Sequence, residues 1–548
     1  MTLGTVAAFA ACSGEAVAPP TNSTKPVNSI QISPPTASIN VSGTLQLSAI
    51  LQDVAGATLS GRTVTWTSDA GKIATVSASG LVATSDTGTA TITASSEGKS
   101  ASAKVTVTPV GTTPKAHAGY YASLSGSSSG DGSVNRPWDL PTALAATATI
   151  HGGDTLWIRG GTYHGNYRST LTGTASAPVV VRQYPGERAI IDGGGYTPST
   201  WYVAGQYSEF WGFELTNSTT NRVLTSTERR SNVIANYASH TKYINLVVHD
   251  GGVAFYNESP YLDVEIVGCV IYNEGWQGPD RGHGHAIYLR SNTGPVTARD
   301  NILFNQFGYG VHVFTNPGEG QLNNVHVEGN ISFNNGTLST NSSSSNILFG
   351  GDDYSTGGVL KNNYTYESPG LTAVNVQVGY GATKNGTVQL LSNYFAGGTT
   401  VVDVGYWSSF TATSNILMGT SQVVQLSDPA LSMSKFTGQT QASLPTTTKV
   451  VVRANPYEKG RANIAVYNWS QQGSVDIDLS GIVPAGASYE IRNVQTLFGA
   501  PVVSGTYRGG TVTLPMRAVT PPVPTGMASS HAPSTGTAFN AYVVSIRQ

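Results

Sequence analysis

Asp300-Asn-Ile-Leu-Phe-Asn305 returns as Gly329-Asn-Ile-Ser-Phe-Asn334, and again in aromatic form as Asn362-Asn-Tyr-Thr-Tyr366. Ser392-Asn-Tyr-Phe395 and Ser414-Asn-Ile-Leu417 continue the series. The second residue of each copy is asparagine, and Asn301, Asn330, Asn363, Asn393 and Asn415 stand 29, 33, 30 and 22 residues apart. Intervals of this size, filled with short apolar runs and no helical spacing, predict a parallel β-solenoid with one repeat per coil. An asparagine at the same bend of every coil can bond its copies above and below, which sets the register of the stack. The repeats run through residues 179–418, and the solenoid is assigned to 117–440.

The chain changes character on both sides of this block. Residues 27–110 read as short strands: Val27-Asn-Ser-Ile-Gln-Ile-Ser33 and Thr44-Leu-Gln-Leu-Ser-Ala-Ile50 alternate, and 64–68, 74–82 and 88–94 add others, the pattern of a β-sandwich. Past Leu444-Pro-Thr-Thr-Thr448, strands at 449–453, 462–469, 474–479, 489–492, 511–515 and 539–545 predict a second β-sandwich over 445–548, expected to cover the solenoid's end. The alanine-rich stretch 141–150 is the one credible helix and would cap the opposite end, since terminal repeats need a cap. The fold class is therefore all-β.

Composition narrows the function. Only 11% of residues are charged, against about 25% in an average soluble protein, as in turn-rich exported β-proteins. A formal charge of −2 with no basic run leaves no electrostatic footprint for a nucleic-acid partner. Cys12 and Cys269 fall in different segments, so no disulfide framework is expected. Cys269, in Val267-Gly-Cys-Val-Ile271, reads as a small buried hydrophobe. Beyond the N-terminal segment no apolar stretch approaches the ~20 residues of a membrane helix.

Four resemblances add to this. Val6-Ala-Ala-Phe-Ala-Ala-Cys12 with its linker-like sequel resembles the end of a bacterial lipoprotein signal, so 1–26 is taken as signal and linker. It implies simple secretion or a surface lipoprotein, with membrane contact only through a lipid on Cys12. The strand 64–68, Ser79-Gly-Leu-Val82 and the strand 88–94 resemble the bacterial Ig-like group 2 family, which implies a spacer or adhesive stalk. Tyr120-Tyr-Ala-Ser-Leu-Ser-Gly126, Arg136-Pro-Trp138 and Gly153-Asp-Thr-Leu-Trp-Ile-Arg-Gly-Gly-Thr-Tyr163 resemble the start of pectate-lyase-like β-helices. That likeness extends over roughly 117–420 and implies a right-handed parallel β-helix binding a polysaccharide along its groove. The C-terminal sandwich resembles accessory domains of polysaccharide-degrading enzymes.

The densest polar stretch is Asn273-Glu-Gly-Trp-Gln-Gly-Pro-Asp-Arg-Gly-His-Gly-His-Ala-Ile-Tyr-Leu-Arg-Ser-Asn292. Ile287 and Leu289 face inward in a strand, so Tyr288 and Arg290 face outward, with Gly282 to Gly284 in a loop leading into it. Aligning His285-Ala-Ile-Tyr-Leu-Arg-Ser-Asn292 with Tyr309-Gly-Val-His-Val-Phe-Thr-Asn316 sets Tyr288 beside His312, Arg290 beside Phe314 and Asn292 beside Asn316. A further coil adds Asn375 and Gln377, and His249 and Asp250 are expected on the same face. Candidate catalytic residues are Asp280, Arg281, His283, His285, Tyr288, Arg290 and His312. Trp276, Tyr309, Phe314, Asn292, Gln377, His249 and Asp250 are candidates for substrate contact. His326 reads as solvated surface. A zinc site on Asp280, His283 and His285 is a weaker reading. Asp352 and Asp353 could take Ca2+ but read first as a turn cap. No cofactor is required.

Three functions follow. Elimination from a uronic-acid polymer, or the related epimerase proton abstraction, would use Arg281 or Arg290 on the sugar carboxylate, His283 or His285 as base, and Tyr288 or His312 as proton donor. Gly278-Pro-Asp-Arg-Gly-His283 resembles the Asp-Pro-His loop of alginate epimerases in this respect. A glycoside hydrolase would instead pair Asp280 with Asp250 or Asp352; Gly282-His-Gly284 resembles the Gly-His-Gly of polygalacturonases, but the paired aspartates follow it here. A non-catalytic glycan-binding adhesin is the third, and a monomer is expected in each case.

Overall fold

From Tyr120 onward the chain winds into coils of up to three strands, as in Val296–Arg299, Ile302–Phe304 and Val311–Val313. Every strand pairs in parallel with its counterpart one coil on, residue opposite residue. The first two strands of each coil build a continuous 21-stranded sheet, and the third builds a ten-stranded sheet. The computed structural model describes residues 25–40, 44–86, 88–108, 119–195, 198–341, 344–371, 373–381, 384–441 and 443–547. It divides into two units, Met1–His117 and Ala118–Gln548.

The solenoid's bends explain the repeat. The residue before each ladder position, Gly212, Asn245, Gly268, Asp300, Gly329, Asn362, Ser392 and Ser414, takes a φ of +52° to +79°. That left-handed step turns the chain from the first strand of a coil into the second; glycine and asparagine adopt it most readily. One residue on, Asn301, Asn330, Asn363, Asn393 and Asn415 form the expected ladder. Each Nδ2 donates to the next Oδ1 at 2.9 to 3.1 Å. The amides also donate to carbonyls of the preceding coil, as Asn363 does to Val327 at 2.7 Å. Cys269 occupies the rung before Asn301, whose Oδ1 accepts the Cys269 backbone N–H at 2.9 Å. It is buried and unpaired to another cysteine, as read from its apolar neighbours. Below it the column becomes Leu246 and Phe213, both fully buried.

The inward side chains form one apolar column from Ala122 to Leu417. Helix Leu140–Ala145 closes its beginning: Asp139 caps it by accepting the Thr142 N–H, and Leu140, Ala143 and Leu144 enter the column. The C-terminal sandwich departs from expectation. Its five-stranded sheet, with Ala462–Tyr467 and Phe539–Ile546 central, lies along the solenoid's flank instead of across its end. Sequence had no means of showing this, because the docking surface consists of outward residues of the middle strands that come together only once the coils stack. Tyr272, Phe304 and Phe333 stack with centroids 5.1 and 5.0 Å apart, and Phe539 lies parallel to Tyr366 at 4.6 Å. Polar ties secure the dock, including Arg453 on Asp300 and Tyr467 OH on the Thr365 carbonyl.

The N-terminal unit is the expected sandwich, with Thr36–Asn40, Lys99–Thr108, Gly88–Ser96 and Thr65–Ser68 in one four-stranded sheet. The stretch read as one strand at 74–82 is a hairpin, Ala74–Val76 and Leu81–Thr84, turning at Gly80 with φ +82°. Cys12 lies outside the described residues.

Candidate active site

On the ten-stranded sheet, position by position, the outward row reads Tyr202, Ala235, Tyr256, Tyr288, His312, Leu348, Gln377 and Asp403. Tyr288 does stand beside His312. Gln377 belongs to the row one coil further than expected, because Ile347–Phe349 intervenes. Asn375 does not face outward: it is buried and accepts from Asn346 Nδ2 at 3.0 Å.

Above this row stands a short hairpin, with Trp276–Gln277 antiparallel to Gly282–His283, where a simple loop was expected. It lies so close to the coils that a Cβ on Gly282 would sit 2.0 Å from the Phe307 carbonyl oxygen. Asp280 is exposed at its tip and bonds His283 Nε2 at 2.8 Å, a hydrogen bond that holds its carboxyl below the usual range. The His283 ring lies parallel to the buried Trp276 indole at 5.3 Å. Arg281 Nε is 3.6 Å from Asp280 and its side chain is 45% exposed, so it is free to swing toward a ligand.

Beneath the hairpin the aromatic groups converge. His285 and His312 have ring centroids 4.2 Å apart. His312 lies stacked between Tyr309 at 4.6 Å and Phe314 at 4.8 Å, with Tyr288 edge-on at 4.9 Å. Tyr309 donates its backbone N–H to His285 Nδ1 at 3.1 Å. A neutral His285 must therefore carry its proton on Nε2. Among the described residues no hydrogen bond engages the His312 ring, whose Nδ1 is buried. Burial first, then the positive charges around them, keep both imidazoles well below the ordinary histidine value. Both are neutral at neutral pH.

Tyr288 OH accepts from Arg290 Nη2 at 2.9 Å. Burial raises the phenol and the Arg290 charge partly offsets it. Arg290 uses both terminal nitrogens: Nη2 meets Glu319 at 2.5 Å, and Nη1 reaches Tyr256 OH at 3.3 Å and Glu258 at 3.6 Å, while Nε is buried without a partner among the described residues. Tyr256, Glu258 and Glu319 were missed. Tyr256 had a signal, since Phe255-Tyr-Asn257 has the same outward aromatic as Ile287-Tyr-Leu289; Glu319, in a turn, had none. The cleft, about 570 Å3, is lined by Tyr256, Trp276, Arg281, His283, His285, Tyr288 and Arg290 together with Arg229 and Arg230.

Several expected contributors lie elsewhere. His249 and Asp250 belong to the 21-stranded sheet and are covered by the C-terminal region. His249 is held between Asp250 at 2.7 Å and Glu214 at 3.0 Å, and Asp250 is bound by Arg222 and the Thr525 N–H. Outward direction in a solenoid does not mean exposure when a second domain covers that flank. Asn292 does not face Asn316 in the groove; its Oδ1 accepts the Gln321 N–H at 3.0 Å and holds a turn. Asp353 accepts the backbone N–H groups of Tyr354 and Gly318, the turn-cap reading. Among the described residues no three His, Cys, Asp or Glu side chains gather as a metal cage. The Asp353 carboxylate is committed to backbone N–H groups in place of Ca2+, and the Asp280–His283 pair has no third zinc ligand gathered with it among the described residues.

The chain belongs to the Pel9A-like right-handed β-helix family, which matches residues 120–395, while 26–107 match the bacterial Ig-like domain, group 2. Pectate lyase PEL9 of Emericella nidulans is 43% identical over 75 residues, 13% of this chain and 18% of that protein, so the match spans under a fifth of the relative's length. Among solved structures, a rhamnogalacturonan lyase is 17% identical with a TM-score of 0.37, covering 55% of this chain and 74% of that one. An alginate lyase from Paenibacillus sp. str. FPU-7 is 16% identical with a TM-score of 0.33, covering 59% and 97%.

Proposed function

We propose that this protein is a polysaccharide lyase that cleaves uronic-acid-containing chains by β-elimination in the cleft of the ten-stranded sheet. One observation carries the reading: a neutral histidine, a phenol backed by a guanidinium and a half-exposed arginine line one cleft, with the His312 ring 4.2 Å from His285 in its wall. Arg281, the least engaged cation, neutralises the uronate carboxylate and so acidifies the neighbouring C5 proton. His312, whose ring no protein group engages, takes that proton. The electron pair forms the C4=C5 bond as the C4–O4 bond breaks, and Tyr288 protonates O4. Arg290 stabilises the phenolate left behind, and His285 Nε2–H donates to the developing enolate. Solvent exchange restores His312 and Tyr288.

Hydrolysis is less well supported, because Asp250 is bound beneath the C-terminal region and is not available to face Asp280. The Pel9A-like family and the short match to a pectate lyase agree with elimination. Export, with or without a lipid on Cys12, belongs to the same proposal and rests on the signal-like residues 1–26. The test is incubation with polygalacturonate, alginate and neutral glycans, following the ultraviolet absorbance of unsaturated uronate together with reducing ends. Unsaturated product that disappears in His312→Ala and Tyr288→Phe supports the proposal; reducing ends without it would transfer the case to hydrolysis.

A further inference from the structure

Upstream of the cleft, Tyr202 on the same sheet and Tyr237 and Tyr261 in the bends beside it form a cluster of aromatic rings that stay partly exposed among the described residues. Tyr202 and Tyr237 stack at 4.8 Å with planes 9° apart, and Tyr261 meets Tyr237 edge-on at 5.8 Å. The Arg168 guanidinium lies 5.5 Å over Tyr202. All three tyrosines are half-buried and Arg168 is exposed. Among the described residues none of the three hydroxyls is hydrogen-bonded, and Arg168 has no acidic partner. The contrast with the flank is direct: there the Tyr272, Phe304 and Phe333 stack is sealed by the C-terminal sandwich, whereas this one faces solvent.

Two features point to an occupant. The platform adjoins the cleft, since the Tyr261 carbonyl accepts from Asn257 Nδ2 at 3.2 Å, one residue from the cleft-lining Tyr256. Tyr202 is in the row that leads through Ala235 and Tyr256 to Tyr288. The exposed cation beside it is Arg168, while Arg229, bonded to backbone carbonyls, lines the cleft itself. A row of phenol edges and unbonded hydroxyls beside a guanidinium without an acidic partner suits a polymer whose repeating unit has hydroxyls and a carboxylate.

We propose that Tyr202, Tyr237 and Tyr261, with Arg168, form a remote subsite that holds the same uronic-acid polysaccharide several sugar rings from the bond being cleaved. The inference rests on the lyase reading of the cleft. The polymer then runs parallel to the solenoid axis. From Tyr202 to Tyr288 is three coils, roughly 15 Å or about three sugar rings, so di- and trisaccharides bound at the catalytic cluster do not reach the far end of the platform. The subsite favours polymer over oligomer and anchors one end of the chain.

The experiment compares the unaltered protein with Tyr202→Ala/Tyr237→Ala and with Arg168→Gln, whose exposed site cannot disturb the core. KM and kcat are measured on polygalacturonate and alginate and on short oligomers of each, and retardation is followed in gels containing either polymer. Expected are a roughly tenfold rise in KM on polymer, unchanged kcat, unchanged kinetics on the oligomers, and weaker retardation for both variants. Equal polymer KM and equal retardation in all three proteins overturn the subsite while leaving elimination by the unaltered protein standing. If the unaltered protein produces no unsaturated uronate, the lyase reading falls. Retardation lost in the variants then supports the platform as a glycan site, and retardation kept by them overturns it.

Discussion

At the scale of single residues, the cleft uses burial to set protonation. His285 and His312 lie between aromatic rings under the hairpin, and burial holds both below the ordinary histidine value. A base must be neutral to act, so acid should silence the proposed elimination only when these groups protonate. The acid limb of kcat/KM on a uronate polymer is therefore expected below pH about 6.5; a limb at pH 7 or above would remove the histidines from the role of base. Tyr288→Phe deletes a hydroxyl whose protein contact is Arg290. We expect kcat to fall on the order of 10²- to 10⁴-fold with the melting temperature nearly unchanged, and a variant retaining full kcat would exclude the phenol as proton donor.

At the scale of elements, the asparagine ladder joins sequence to structure most directly. Asn363 donates to Asn393 and to Val327, and its Oδ1 accepts both amide groups of Asn330. Asn363→Leu leaves several of these buried groups unsatisfied, so urea unfolding should show a loss of at least about 3 kcal/mol; a loss below 1 kcal/mol would mean that the rungs only decorate a stack held by apolar packing. This part of the fold was legible because one residue type recurs at one bend, and the alignment of His285 to Asn292 with Tyr309 to Asn316 was legible because inward apolar residues alternate. Part of the cleft's geometry was legible in the same way: Tyr288 stands beside His312 as the alignment expects, while the approach of His285, Tyr309 and Phe314 to the His312 ring depends on the bends. Glu319 and Glu258 were not, because turns between strands vary in length and leave no periodic trace. His249 and Asp250 were misplaced for a different reason, since their local pattern is that of an exposed strand and only a domain some two hundred residues later in the chain covers them.

At the scale of the whole molecule, that covering domain both seals the flank and makes stability depend on pH. Its removal before Lys449 would uncover Tyr272, Phe304, Phe333, Tyr366 and Tyr394. The truncated chain should bind a hydrophobic dye or aggregate; a soluble monomer that melts like the full chain would show the dock to be dispensable. Under the same cover, Asp250 and Glu214 hold His249 protonated, its value raised to about 9 against the cost of burial. A histidine raised on folding contributes stability that is complete below its unfolded value and is lost as pH rises through the folded one. Buried Glu274, raised to about 8 chiefly by desolvation, acts in the same direction: its contribution is greatest below about pH 4.5 and declines as pH rises toward 8. The melting temperature should therefore fall between pH 7 and pH 10, and His249→Gln should lose the portion of the fall near pH 9; a flat profile, or an unaltered slope in that variant, would contradict this. The ladder's end at Cys269 has a mechanical meaning as well. From Asn301 onward this column of the coils is latched by directional polar rungs that a sideways slip would break, whereas below Cys269 the same column is Leu246 and Phe213, held by apolar packing. The coil carrying Tyr288 also carries Cys269 and so lies where the bonded column gives way to the apolar one.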